Sequence, residues 1–481
     1  MPRSNPWAAL SALCIGFFMI LLDTTIVSIA IPAMVTGLKT DLNSVVWVMS
    51  VYLLTYAVPM LFTSRLGDRF GPKRVFLAGL VVFTAASAAC GLAGTAGLLI
   101  AARAVQGLGA ALMTPQTLAF ITNLFPPTKR GPAMGLWGGV AGLATIAGPL
   151  LGGVLVDHLG WQWIFFVNIP VGVVGIVLTV LLVPDWQPKN SHSFDVPGIL
   201  LSGAGLCLLV FGLQNGQHYN WGKVAGPVTV FEVIAAGVVL LIGFVAWQRF
   251  NRKEPLLPLD VFGNRNFSAG TLVGVTVGFT MTSMFLPMVL YTQEVLDLTP
   301  TKAGLLTAPM SLLSGIIAPF IGRMSDRANP KYLVIFGLLA LAGGLGLVVV
   351  MVRATSSPLA MIPGLLVAGL GTGSVFAPMS NAAMSSVEPR LAGAASGILN
   401  TARQVGGVLG SAATGVLLQA RITASATAEQ GNMPNALTDA ARQTLVLPIA
   451  VLVLGALVAL AMRRTTPRQP VASPAPEPAV A

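Results

Sequence analysis

Charged side chains are scarce in this 481-residue chain: Asp, Glu, Lys and Arg together make up 9%. A soluble protein of this size carries roughly a quarter. Too few charges are present to coat several water-exposed domains, which excludes a soluble enzyme or scaffold. Cysteine is nearly missing as well. Cys14, Cys90 and Cys207 all lie inside apolar runs, so there is no basis for a disulfide framework. The three histidines, His158, His192 and His218, stand in separate loops, and neither His-Glu-x-x-His nor Gly-x-Ser-x-Gly occurs. No Gly-x-x-x-x-Gly-Lys-Ser/Thr loop is present to cradle ATP phosphates. The chain is therefore not expected to be an enzyme, and it offers no cofactor or metal site.

What is abundant is apolar sequence: 55% of residues are hydrophobic, and the mean hydropathy is +0.81. Fourteen runs of about 20 apolar residues follow one another, the first near 10–32 and the last near 444–462. Runs of this length without period-2 alternation are helices, because an isolated strand cannot satisfy its backbone in lipid. The expected fold class is thus an all-α integral membrane protein with 14 membrane spans. The first run has no small-residue cleavage site after a short apolar core, so it is expected to stay in place as the first helix.

Orientation follows from the basic residues. With both termini on the inner side, 19 of the 27 Lys and Arg fall in inner segments and six in outer ones, while Arg103 and Arg403 lie inside spans. This bias is a positive-inside signature. It accounts for the formal net charge of +11 without any nucleic-acid partner.

The chain also repeats itself. At an offset of 262, Gly107-Leu108-Gly109 returns as Gly369-Leu370-Gly371, Gly148 as Gly410, and Gly153-Val154-Leu155 as Gly415-Val416-Leu417. At 258, Gly67-Asp68-Arg69 is echoed by Ser325-Asp326-Arg327. Both Asp-Arg loops fall on the inner side, so the repeat is parallel. Two six-helix halves are expected at 1–190 and 256–465, with two additional helices at 191–255 and a disordered Pro/Ala-rich cytoplasmic tail at 466–481.

The most informative residue is Asp23, a carboxylate in the middle of an apolar helix. A charge there costs about 3 kcal/mol on insertion scales and is rarely retained without a polar partner or a task. Arg103, in the fourth run, is the other early charge. At 1.5 Å per residue, Asp23 lies about 20 Å from the inner start of its helix and Arg103 about 8 Å from the outer start of its own. In a core of about 30 Å both fall in the outer half, within reach of each other. Gln106 shares Arg103's helix face. Glu232 and Arg403 are further charges within spans and join Asp23 and Gln106 as candidates for a substrate cavity.

Four stretches resemble one known family. They are Leu22-Asp23-Thr24-Thr25 with Ile29-Ala30-Ile31-Pro32, then Gly67-Asp68-Arg69-Phe70-Gly71-Pro72-Lys73-Arg74, Arg103-Ala104-Val105-Gln106-Gly107, and Ala147-Gly148-Pro149-Leu150-Leu151-Gly152-Gly153. They are similar to the fourteen-spanner drug:proton antiporters of the major facilitator superfamily, and the likeness covers about residues 10–465. Three positions depart from the usual pattern: Ser28 where Asn is commoner, Ser64 where Gly is usual, and Pro72 where Arg is usual.

The resemblance implies proton coupling through Asp23 and Arg103, and a conformational latch built from Asp68, Arg69, Arg74, Asp326 and Arg327. It also implies a helix-5 antiporter motif at Gly148, Pro149, Gly152 and Gly153. The expected function is export of hydrophobic or cationic drugs and antibiotics in exchange for protons, by alternating access. The alternatives are a proton-linked exporter of one specific metabolite, such as an amino acid, a siderophore or a self-made antibiotic, and a non-transporting ligand sensor. The expected setting is the plasma (inner) membrane, multi-pass, with both termini cytoplasmic. The expected partners are a small-molecule substrate, protons and the lipid bilayer, with the chain a monomer.

Overall fold

The computed structural model describes residues 5–185, 195–216, 218–251, 255–385, 387, 392–428 and 432–463. The tail at 466–481 lies outside them. Fourteen helices of 15 residues or more follow in order: α1 Pro6–Ile29, α2 Leu42–Ala57, α3 Pro72–Gly91, α4 Ala96–Leu124, α5 Pro127–Leu159, α6 Asn168–Leu182 and α7 Val196–Asn215. They continue as α8 Val230–Phe250, α9 Arg265–Ser283, α10 Pro300–Arg327, α11 Pro330–Met351, α12 Ile362–Met384, α13 Ala392–Ala428 and α14 Met433–Leu460. Among the described residues the strands are confined to one hairpin, Lys223–Ala225 against Val228–Thr229, between α7 and α8.

Among the described residues, twelve helical segments are long and apolar enough to cross a membrane; α2 and the apolar stretch Ala147–Leu159 of α5 stand where the second and fifth spans were expected. The chain is a multi-pass membrane protein. The expected second span is divided: α2 stops at Ala57 and a separate helix runs Met60–Phe70. Pro59 lies at the break, where it has no N–H to continue the ladder. Near Pro287 the expected ninth span is likewise pieced together from α9, a short helix Phe285–Leu290 and one wide turn, Tyr291–Val295. In the opposite sense, α13 runs on through the polar stretch after Gln419 as far as Ala428. The run Ala420 to Ala428 is rich in alanine, the best helix former.

Each half builds its own apolar core. Val273, Leu338, Leu345, Leu365 and Leu452 centre the later one, and Leu13, Ile20, Phe76, Phe83 and Phe120 the earlier one. The earlier core also takes in Leu206 and Val210 of α7 together with Val408 and Ala412 of α13. Helix α7 therefore packs at the seam of the halves, whereas α8 keeps little of its surface inside the protein.

One end of the α7 and α8 pair is clasped by Asp195. Its carboxylate accepts from Gly198 N at 3.0 Å, Trp247 Nε1 at 2.7 Å and Gln248 Nε2 at 2.7 Å. At the other end of α7, Asn215 Oδ1 accepts from Asn43 Nδ2 and from Trp47 Nε1, both at 3.2 Å.

The halves meet through α5 against α10 and through α2 against α13. At the end where α5 finishes, Asp157 Oδ2 accepts from Thr301 N at 2.9 Å, and Gln293 Nε2 donates to Ile29 O at 3.0 Å. Asp157, exposed near the end of α5, caps the first turn of α10, whose N–H groups have no partner within their own helix. Midway along the seam the hydroxyls of Ser50 and Ser411 lie 2.9 Å apart.

Candidate functional site

Five helices of the first half converge on Asp23. The side chain is fully buried, as is Arg103 at 1% exposure. Arg103 Nη1 donates to Asp23 Oδ2 at 2.5 Å and to Gln106 Oε1 at 2.8 Å. Gln106 Nε2 donates to Asp23 Oδ1 at 2.9 Å, which closes a triangle. Arg103 and Gln106 are one turn apart on α4, so the i,i+3 spacing alone aims both at α1. A second amide arrives from α6, where Asn168 Nδ2 donates to Asp23 Oδ1 at 3.3 Å and to Ser87 Oγ at 3.1 Å.

The guanidinium is held on its other sides too. Arg103 Nε donates to Val48 O of α2 at 3.2 Å, and the Tyr52 ring lies beneath Cζ, 4.0 Å from centroid to carbon. Such a stack suits arginine's planar cation. Buried charge is tolerated here because the pair is matched on several sides: the carboxylate receives three donors, and the guanidinium meets a carboxylate, an amide oxygen, a carbonyl and a ring face.

The helix-5 glycines seat α1. A Cβ on Gly148 would collide with Thr25 Oγ1, two residues from Asp23. One on Gly152 would come within 2.8 Å of Ile26 Cγ1. Gly153 faces the other way, where a Cβ would stand 2.5 Å from Pro300 O of α10, and Pro149 O packs against Gly304. The motif thus brings α5 close to α1 on one side and to the second half on the other, as small residues permit.

The remaining candidates stay apart from this cluster. Glu232, expected as a buried carboxylate, is instead exposed. It forms a capping box with Thr229, accepting from Thr229 N at 2.6 Å while Thr229 Oγ1 accepts from Glu232 N at 3.3 Å. The Thr-x-x-Glu spacing that opens α8 is the physical reason.

Arg403 is half-buried on α13, with Asn400 Oδ1 at 3.2 Å and the Phe376 ring at 5.7 Å. Of the expected latch residues, Arg74 pairs with Asp185 at 3.5 Å, both well exposed, and Arg69 stands over the Phe70 ring. The side chains of Asp68, Asp326 and Arg327 lie outside the described residues. Sequence reasoning missed Asn168, Ser87 and Tyr52 as members of the site. The signal for Asn168 was an amide amid the apolar residues that follow Trp161.

The sequence matches the family described as Major Facilitator Superfamily over residues 13–411 and again over 271–480. The chain belongs to the major facilitator superfamily. Members are transporters, and the substrate is a small molecule. Among relatives in this superfamily, the "Uncharacterized MFS-type transporter Rv1250" of Mycobacterium tuberculosis is 47% identical over 87% of this chain and 72% of its own. The "Tetracenomycin C resistance and export protein" of Streptomyces glaucescens is 36% identical over 87% of this chain and 77% of its own. The fold is also that of a bacterial homolog to the human lysosomal transporter Spinster, solved in an inward-facing and unoccupied conformation. The TM-score is 0.67 at 16% identity, over 97% of this chain and all of that one.

Proposed function

We propose that this protein exports hydrophobic or cationic drugs and antibiotics in exchange for protons, with Asp23 as the proton-carrying group and Arg103 as its fixed counter-charge. The observation that carries the reading is the Asp23–Arg103 pair, fully buried in the first half and laced to two amides. Protonation would remove the charge that Arg103 opposes and release the guanidinium. Substrate binding and protonation would then bias one inward/outward equilibrium in opposite senses, which antiport requires. The printed name of the Streptomyces glaucescens relative supports an antibiotic as cargo.

In this reading α2 and α5, the latter apolar over Ala147–Leu159, join the twelve other segments to make fourteen spans. The halves are 1–190 and 256–465, and the pair at 191–255 is an addition at their seam. Both termini face the cytoplasm, so the contacts of Asp157 with Thr301 and of Gln293 with Ile29 close the outer end. Asp68, Arg69, Arg74, Asp326 and Arg327 latch the inner loops, and Gln106 and Arg403 border the substrate path. The protein works as a monomer in the plasma membrane, each half alternating against the other.

Expression in a pump-deficient bacterium, with a drug panel and proton flux in vesicles, tests this. Resistance to at least one hydrophobic compound and substrate-induced proton movement are expected. Neither appearing would sink the reading.

A further inference from the structure

Arg403 differs from Arg103 in what surrounds it. Its Nη2 donates to Asn400 Oδ1, one turn earlier on the same helix, and Phe376 of α12 offers a ring 5.7 Å away. From the opposite half comes Tyr56 of α2, whose hydroxyl lies beside Gln404 and within electrostatic reach of Arg403. Among the described residues no carboxylate pairs with it. A guanidinium presents five N–H donors, and the bond to Asn400 uses one of them. Arginine keeps its charge, and a cation within a span is costly when unpaired. Arg403 is partly buried on α13, the helix that packs against α2 of the other half.

We infer that Arg403 is the anchor for an ionised acid, a carboxylate or phenolate, carried on an aromatic substrate. The inference rests on the reading of the chain as an exporter of hydrophobic small molecules. A planar fork of donors matches the two oxygens of a carboxylate better than a point charge does, and it can also donate to a phenolate oxygen. The neighbouring Phe376 ring supplies an apolar face for the body of such a molecule. The site also shares a wall with the proton site. Arg103 stacks on Tyr52, the Tyr52 and Tyr56 rings are 6.0 Å apart, and Tyr56 lies within electrostatic reach of Arg403. An anion on Arg403 therefore settles two side chains away from the Asp23 pair.

The test uses the full-length protein in detergent and two dyes of one xanthene scaffold, anionic fluorescein and cationic rhodamine 6G, with binding read by anisotropy. Wild type is expected to bind fluorescein. Arg403→Gln should bind it roughly tenfold or more weaker, as loss of a charge-assisted contact implies, with rhodamine 6G affinity unchanged or tighter. Should Arg403→Gln not fold, Arg403→Lys decides: several-fold weaker fluorescein binding with rhodamine 6G unaffected supports the anchor. No fluorescein binding by wild type, or equal affinity in wild type and the folded variant, overturns it. Fluorescein bound through Arg403, with no gradient-driven uptake of either dye into everted vesicles, would remove the exporter reading and leave the anchor standing. Uptake of rhodamine 6G with no fluorescein binding would overturn the anchor alone.

Discussion

Asn168 donates its amide nitrogen to Asp23 Oδ1 at 3.3 Å, while its own Oδ1 meets no partner. An ionised carboxylate only accepts, so the amide must present its nitrogen; a protonated one donates as well, and the idle oxygen then becomes useful after rotation of the amide. Asn168→Leu removes both options. We expect it to lower stability by about 1–3 kcal/mol, the cost of leaving a buried polar partner unmatched, and to slow proton-linked transport. Thermal unfolding in detergent checks the first, and a variant as stable and as active as wild type would contradict both.

The Asp23–Arg103 pair invites a double-mutant cycle. Removing one partner leaves a buried, unopposed charge, so Arg103→Leu alone is expected to destabilise by about 3–5 kcal/mol. Asp23→Asn with Arg103→Leu removes both charges and should recover much of that loss, while proton coupling stays absent. Recovery of coupling along with stability would show the pair to be a structural clasp.

Helix α5 approaches α1 through Gly148. A methyl at that position collides with Thr25 Oγ1, so Gly148→Ala should push α1 away and disturb Asp23. Combining it with Thr25→Gly removes both Oγ1 and Cβ, the two atoms the methyl meets first. We expect export to fall in the single variant and to return in part in the double one. If the single variant exports as wild type does, the close approach has no role.

Asp195 gives a pH dependence. Burial pushes its carboxyl up, but hydrogen bonds from Gln248, Trp247 and Gly198 together outweigh that and hold it below its ordinary value of 3.8. A carboxyl lowered on folding contributes stability that is present above its unfolded value and lost as pH falls through the folded one. The clasp of α7 to α8 should therefore loosen in acid, and Asp195→Asn should flatten that part of the stability profile. Unfolding followed from neutral pH to about pH 3 tests it; an unchanged slope would refute the assignment.

Much of the arrangement was legible in the residues, for reasons that differ by position. Asp23 and Arg103 could be matched by counting rise along two helices, because depth in a bilayer is a one-dimensional quantity. Gln106 followed from its i,i+3 place on α4. Asn168 could not be matched so, because its role depends on how α6 leans on α1 and α3, which no local spacing encodes. Glu232 was expected to be buried although the contrary signal was present: Thr229-Val230-Phe231-Glu232 is a capping box, and a glutamate used there is held at an exposed helix start. The breaks beside Pro59 and Pro287 were visible as prolines, yet apolar sequence runs unbroken across both, so hydropathy merged them into single spans.

The account turns on whether Asp23 carries the proton. In everted vesicles made acidic inside, wild type should accumulate rhodamine 6G and release protons as it does so. Asp23→Asn, which keeps the shape of the side chain, should still bind the dye yet lose gradient-driven accumulation and the accompanying proton movement. Equal accumulation by Asp23→Asn and wild type under the same gradient would contradict the account.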